Sequence, residues 1–70
     1  MKLKKEEIVV GLHVRSFDEE DSRWYKAEVI AVREEGAVFK DIDPNSEFQG
    51  MEWDATWSDI EDAEQYCKIK

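Results

Sequence analysis

Seventy residues, 41% hydrophobic and 40% charged, are enough for one thin-cored domain and no more, since a chain this short buries only about 60% of the surface its unfolded form exposes. A single cysteine (Cys67) and a single histidine (His13) exclude an internal disulfide and a structural zinc site, which makes a reduced intracellular compartment, cytoplasmic or nuclear, the expectation. Eighteen acidic against 10 basic residues give a net charge of −8, which argues against direct nucleic-acid binding, and no apolar run reaches signal-peptide or membrane-span length, so a soluble, unsecreted chain is expected.

Residues 1–7 are polar and read as a flexible lead-in with Leu3 as its only anchor, which leaves 8–70 as the single domain. After Ile8-Val9-Val10 and the turn residue Gly11, a first strand is predicted over Leu12 to Phe17, with Val14 inward and His13 and Arg15 outward. Asp18 to Ser22 form a solvated loop. The second strand, Trp24 to Val32, places Tyr25, Ala27, Val29 and Ala31 on a buried face and Lys26 and Glu28 on the opposite one. Arg33-Glu34-Glu35-Gly36 reads as a four-residue hairpin turn with glycine free to take a positive φ. Ala37 to Ile42 make the third strand, Asp43-Pro44-Asn45-Ser46 is turn chemistry, Gly50 marks a bend, and Glu52 to Trp57 make the fourth strand.

Ser58-Asp59-Ile60-Glu61 has capping-box spacing, so a short helix is predicted from Asp59 to about Gln65 with Ile60, Ala63 and Cys67 on one side. Tyr66 to Ile69 offer a short last strand as the alternative. Short strands at roughly ten-residue spacing, separated by polar turns, predict an all-β fold: a small barrel or sandwich of four to five antiparallel strands with a C-terminal helical turn.

The run Val10-Gly11-Leu12-His13-Val14, followed by an acidic loop and by Trp24-Tyr25-Lys26-Ala27-Glu28-Val29-Ile30, resembles the Tudor and Agenet branch of SH3-like barrels. Trp57-Ser58-Asp59-Ile60 is similar to the turn after the fourth Tudor strand. Val38-Phe39-Lys40-Asp41-Ile42-Asp43 is similar to the third strand of the first unit in the SAGA-associated tandem Tudor histone reader. The resemblance spans about residues 8 to 62 and implies a Tudor-type barrel. It also implies a cationic ligand, since readers of methylated lysine and arginine hold the cation between aromatic faces. On that resemblance Tyr25 falls on a cage position, with Phe17 or Asp18 at the end of the first strand. Lys40 and Asp43 stand where the third-strand rings would be, Asn45 matches a polar cage residue, and Trp53 could complete the cage. The resemblance also implies that Asp41 and Asp43 could hold an ammonium group.

Two other patterns share these residues. Asp41-x-Asp43-x-Asn45-x-Glu47, ending at Glu52, reproduces calcium-loop ligand positions, but Ser46 stands where that loop needs glycine and the flanks read as strands. Cys67 and His13 could form a nucleophile pair only if the fold joined them, and an acidic setting weakens a thiolate. No constellation supports catalysis, and no cofactor is implied.

Charge distribution carries the functional expectation. From Asp41 to Glu64 there are nine acids (Asp41, Asp43, Glu47, Glu52, Asp54, Asp59, Glu61, Asp62, Glu64) and no Lys or Arg. Carboxylates beside strand-start aromatics suit a partner bearing Lys or Arg. The expectation is a non-catalytic protein-interaction module whose partner is a basic protein segment. Asp18, Glu19, Asp21, Asp41, Asp43 and Glu52 would supply the field, and Phe17, Trp24, Tyr25, Asn45 and Trp53 the contact. The alternative is an acidic nucleic-acid mimic, for example phage-encoded, that blocks the groove of a DNA- or RNA-binding protein. Trp57 is expected in the core.

Overall fold

The computed structural model describes residues 3–69. Strands β1 (His13–Asp18), β2 (Arg23–Val32), β3 (Gly36–Asp41), β4 (Glu52–Thr56) and β5 (Tyr66–Lys68) form one antiparallel sheet in the order β4-β3-β2-β1-β5, and a single four-residue helix, α1 (Trp57–Ile60), precedes β5. The fold is small and all-β, as the strand spacing predicts. The first four strands begin and end within one residue of the expected bounds.

The concave face of this sheet is the core. Val14, Ala27, Val29, Phe39 and Ile60 are buried there, with Val14 opposite Ala27 and Val29 opposite Phe39. Phe39 sits between Trp53 and Tyr66, with ring centroids 5.8 and 5.0 Å away. Trp53 belongs to β4 and Tyr66 to β5, the two outermost strands. In a flat sheet those strands would stand about 19 Å apart, yet Trp53 Nε1 lies 2.9 Å from the Tyr66 hydroxyl. The sheet is therefore strongly bent, and rings rather than main-chain bonds span its seam.

The N-terminal segment joins this unit. Leu3 and Ile8 are buried in the core, Lys5–Glu7 form a turn of 3-10 helix, and Glu7 pairs with Lys68 of β5. On the outer face His13, Glu28, Lys40 and Glu52 form a row across four strands, in which the charges of Glu28, Lys40 and Glu52 alternate.

Four local expectations are corrected. A bulge at Ile30 leaves Val29 opposite Phe39 but sets Ala31 opposite Val38, so Ala31 leaves the core face on which strict alternation puts it. Gly36 has no positive φ; that conformation belongs to Gly11, Gly50 and Ser22. Gly36 instead opens β3, where a Cβ would meet the Ala55 carbonyl oxygen at 1.8 Å. Thr56, not Ser58, caps the helix, its hydroxyl accepting from Asp59 N at 3.3 Å. The helix stops at Ile60, because residues 66–68 pair with β1 and a helix this short has no stability of its own. Cys67 is consequently a strand residue opposite Arg15.

Candidate functional site

An open pocket of about 260 Å³ lies at the end of the sheet where the core runs out of filling side chains. Its walls come from β1 (Ser16, Phe17, Asp18), β2 (Tyr25), β3 (Asp41), the β3–β4 connection (Phe48, Met51), β4 (Trp53) and β5 (Tyr66), with Glu19 at the rim. The pocket is thus a bowl of rings with carboxylates around it. Strand alternation explains part of the set, since Ser16 and Tyr25 are cross-strand partners continuing the Val14–Ala27 face, whereas Phe17 pairs with Trp24 and reaches the pocket from its edge.

Phe17, Asp18, Glu19, Tyr25, Asp41 and Trp53, all expected from the sequence, line this pocket. Asp21 stands beside it and accepts a hydrogen bond from the Tyr25 hydroxyl. That bond, reinforced by partial burial, pushes the Tyr25 phenol above its ordinary range. Trp24 is on the outer face, 38% exposed, with its ring centroid 5.2 Å from that of Phe17. Trp57 is half-buried against the core, Lys5 lies over its ring, and its Nε1 donates to the Glu34 carbonyl at 2.7 Å.

Asp41, Asp43 and Asn45 are engaged in building the β3–β4 connection. The Asp41 carboxylate is buried and accepts from the Asp43 N–H and the Ser46 hydroxyl. Asp43 accepts from Asn45 N at 2.9 Å and from Lys26 N at 3.0 Å. The second bond replaces a ladder contact where β3 leaves the sheet. These N–H groups hold the Asp43 carboxyl below the usual carboxylate range. Lys40 and Glu52 are on the outer face, opposite each other. The calcium-loop spacing of Asp41, Asp43, Asn45, Glu47 and Glu52 does not assemble, and no group of three or more His, Cys, Asp or Glu among the described residues is placed to hold a metal ion.

Phe48, Met51, Ser16 and Tyr66 were not expected in the site. The signal for the first two is present in the sequence: two large apolar residues interrupt an otherwise polar, turn-rich connection. Both remain exposed, by 42% and 53%. With Asp18, Glu19 and Glu20 they also line a shallower groove that continues from the pocket.

The antiparallel order brings the β1–β2 connection (19–22) and the β3–β4 connection (42–51) to this same end. Segment 61–65 arrives there too, because the Gln65 carbonyl accepts from Phe17 N at 2.8 Å. These three segments carry Glu19, Glu20, Asp21, Asp43, Glu47, Glu61, Asp62 and Glu64 and no Lys or Arg. Arg23, opposite Asp18 at the start of β2, is the neighbouring cation. No family model, curated protein or solved structure matches the chain. No helix among the described residues is long and apolar enough to cross a membrane.

Proposed function

We propose that this domain is a non-catalytic, Tudor-like protein-interaction module that binds a basic, Lys- or Arg-bearing segment of a partner protein. The observation that carries the reading is the ring-lined pocket at the end of the sheet where three cation-free acidic segments converge. A cationic side chain entering the pocket meets the rings of Tyr25 and Trp53 and is attracted by their quadrupoles, with Phe17 at the edge where it packs on Trp24. Asp18 and Glu19 at the mouth supply opposite charge, and the wider carboxylate field raises the encounter rate with basic segments. A surface that only imitates nucleic-acid phosphates would need the carboxylates but not the rings, which favours the peptide reading over acidic mimicry.

Titration of a lysine- and arginine-rich peptide at rising ionic strength tests this. Affinity should fall steeply with salt. Tyr25→Ala, which removes a ring from the pocket wall, should weaken binding about tenfold. Binding that is indifferent both to Tyr25→Ala and to Asp18→Asn with Glu19→Gln overturns the proposal. Asp41 and Asp43 are left unaltered in that test, because changing them disturbs the β3–β4 connection.

A further inference from the structure

The two edge strands of a sheet expose main-chain groups, and here they differ. On the β3 side of β4, Asp41 N donates to Met51 O and Trp57 N donates to Glu35 O. Antiparallel pairing alternates, so Trp53 and Ala55 also bond to β3, while Glu52, Asp54 and Thr56 direct their N–H groups away from the sheet. β4 pairs with β3 alone, so the N–H and C=O of Glu52 and Asp54, which point the other way, have no main-chain partner among the described residues. All three residues are exposed. The ring-lined pocket reaches Met51 and Trp53 at one end of this strand. The other outermost strand, β5, is only three residues long, with Tyr66 N committed to the Asp62 carbonyl and Lys68 paired with Glu7.

Exposed strand edges are usually blunted by charged side chains, proline, a bulge or short length. β4 has no proline or bulge, and its charges are all of one sign: Glu52 and Asp54 on one face, with Trp53 between them on the other, repel another acidic strand and leave the edge open to a basic one. We propose that the free edge of β4 takes up an extended Lys/Arg-bearing segment of the partner as a sixth strand. Basic residues on one face of that strand stand over Glu52 and Asp54, and the Lys or Arg between them points toward the pocket that Trp53 lines. This rests on the basic-segment reading above and adds the backbone geometry of recognition. The present neighbours of those carboxylates yield readily: Arg33 lies 3.8 Å from Asp54 with both side chains mostly exposed, and such a pair contributes little. A second copy of this chain is the wrong occupant, since pairing β4 with β4 sets like charges against each other on molecules of net charge −8.

The probe is a capped ten-residue peptide alternating arginine with lysine, so that both faces carry cations, titrated into the full chain at low ionic strength. It is compared with two N-methylated versions, one blocked at the arginine amides and the other at the lysine amides. A strand bonds through one edge only, so one version should bind about tenfold or more weakly and the other like the parent. Amide exchange at Glu52 and Asp54 should slow on binding. Asp54→Pro removes an outward N–H without touching the β3 ladder, and should bind the parent peptide about tenfold less tightly than Asp54→Asn does. If the proline variant does not fold, the methylated pair decides. Equal binding by both methylated peptides, with Tyr25→Ala still damaging, overturns strand addition and leaves the pocket reading standing. No binding of the parent peptide overturns both. Concentration-dependent dimerisation abolished by Asp54→Pro overturns the choice of occupant.

Discussion

Trp53 Nε1 donates to the Tyr66 hydroxyl at 2.9 Å, and that bond joins the two outermost strands of the sheet. With Phe39 stacked against both rings, it forms the floor of the pocket as well as the seam of the fold. Burial pushes the Tyr66 phenol above its ordinary range, the main cause of its shift, so the hydroxyl stays a neutral acceptor at physiological pH.

Trp53→Phe keeps a ring but removes the donor, and Tyr66→Phe removes the acceptor. Each should destabilise the domain by about 1–2 kcal/mol in urea unfolding, since each leaves a polar group without its partner. The double variant should show a coupling of about 1 kcal/mol. Strictly additive losses would mean that the bond contributes nothing beyond packing.

Gly36→Ala should be among the most damaging single changes. The added methyl would overlap the Ala55 carbonyl, main chain that cannot swing aside, so β3 and β4 must part. A loss of about 3 kcal/mol is expected, a large share of the roughly 4–10 kcal/mol available to a domain of this length. Gly50→Ala has open space around it and suffers only from its φ of 94°, so it should cost about 1 kcal/mol. Denaturation midpoints of the two variants in one buffer check the order.

The strands were legible because their two-residue alternation survives in Val14, Ala27, Val29 and Phe39, which all turn to one face. The bulge at Ile30 was not, because a single extra residue leaves the local pattern unchanged and shows only in the partner strand's register. Gly36 was recognised as special for the wrong reason: chain-turn composition suggests a positive φ, whereas the constraint is the approach of Ala55 from a strand some twenty residues away in sequence. The pocket's strand residues could be read from alternation. Phe48 and Met51 stand out in the sequence as large apolar residues in a polar connection, but only the fold shows that this connection lies over the open end of the core.

Asp43 carries an acid-sensitive part of the stability. Its folded pKa is depressed, chiefly by the Asn45 N–H and then by the Lys26 N–H. The contribution is therefore complete above the unfolded carboxylate pKa of about 4, and is lost as pH falls through the lower folded value. Asp43→Asn offers one carbonyl oxygen where two N–H groups need acceptors, so it should be less stable at pH 7 and should lose less on acidification. Glu7, held low mainly by Lys68, acts in the same window and leaves some acid sensitivity in the variant. Urea midpoints measured from neutral pH down into the acid range test this, and parallel curves for the two proteins would refute it.

Both tyrosines of the chain, Tyr25 and Tyr66, are shifted upward. Tyr25 owes most of its shift to the bond it donates to Asp21, and Tyr66 to burial. Ultraviolet titration should find neither phenol ionising at the ordinary value of about 10. The stability tied to these protons is complete below that value and is lost as pH rises through the folded ones. Asp21→Asn should return one tyrosine toward the ordinary range and leave the other in place. An unchanged titration would show that Asp21 does not hold the Tyr25 hydroxyl.

Phe48 and Met51 should separate binding from folding. Both are large apolar side chains left in solvent beside Asp18 and Glu19, so their removal costs the core little. Phe48→Ser and Met51→Ser should each change stability by no more than about 0.5 kcal/mol. Exposed apolar area beside a charged groove remains available to a ligand, so each variant should weaken binding of a basic peptide about threefold to tenfold. Denaturation and peptide titration on the same preparations give both numbers. Lost stability with unchanged affinity would assign these side chains to packing and take the β3–β4 connection out of the recognition surface.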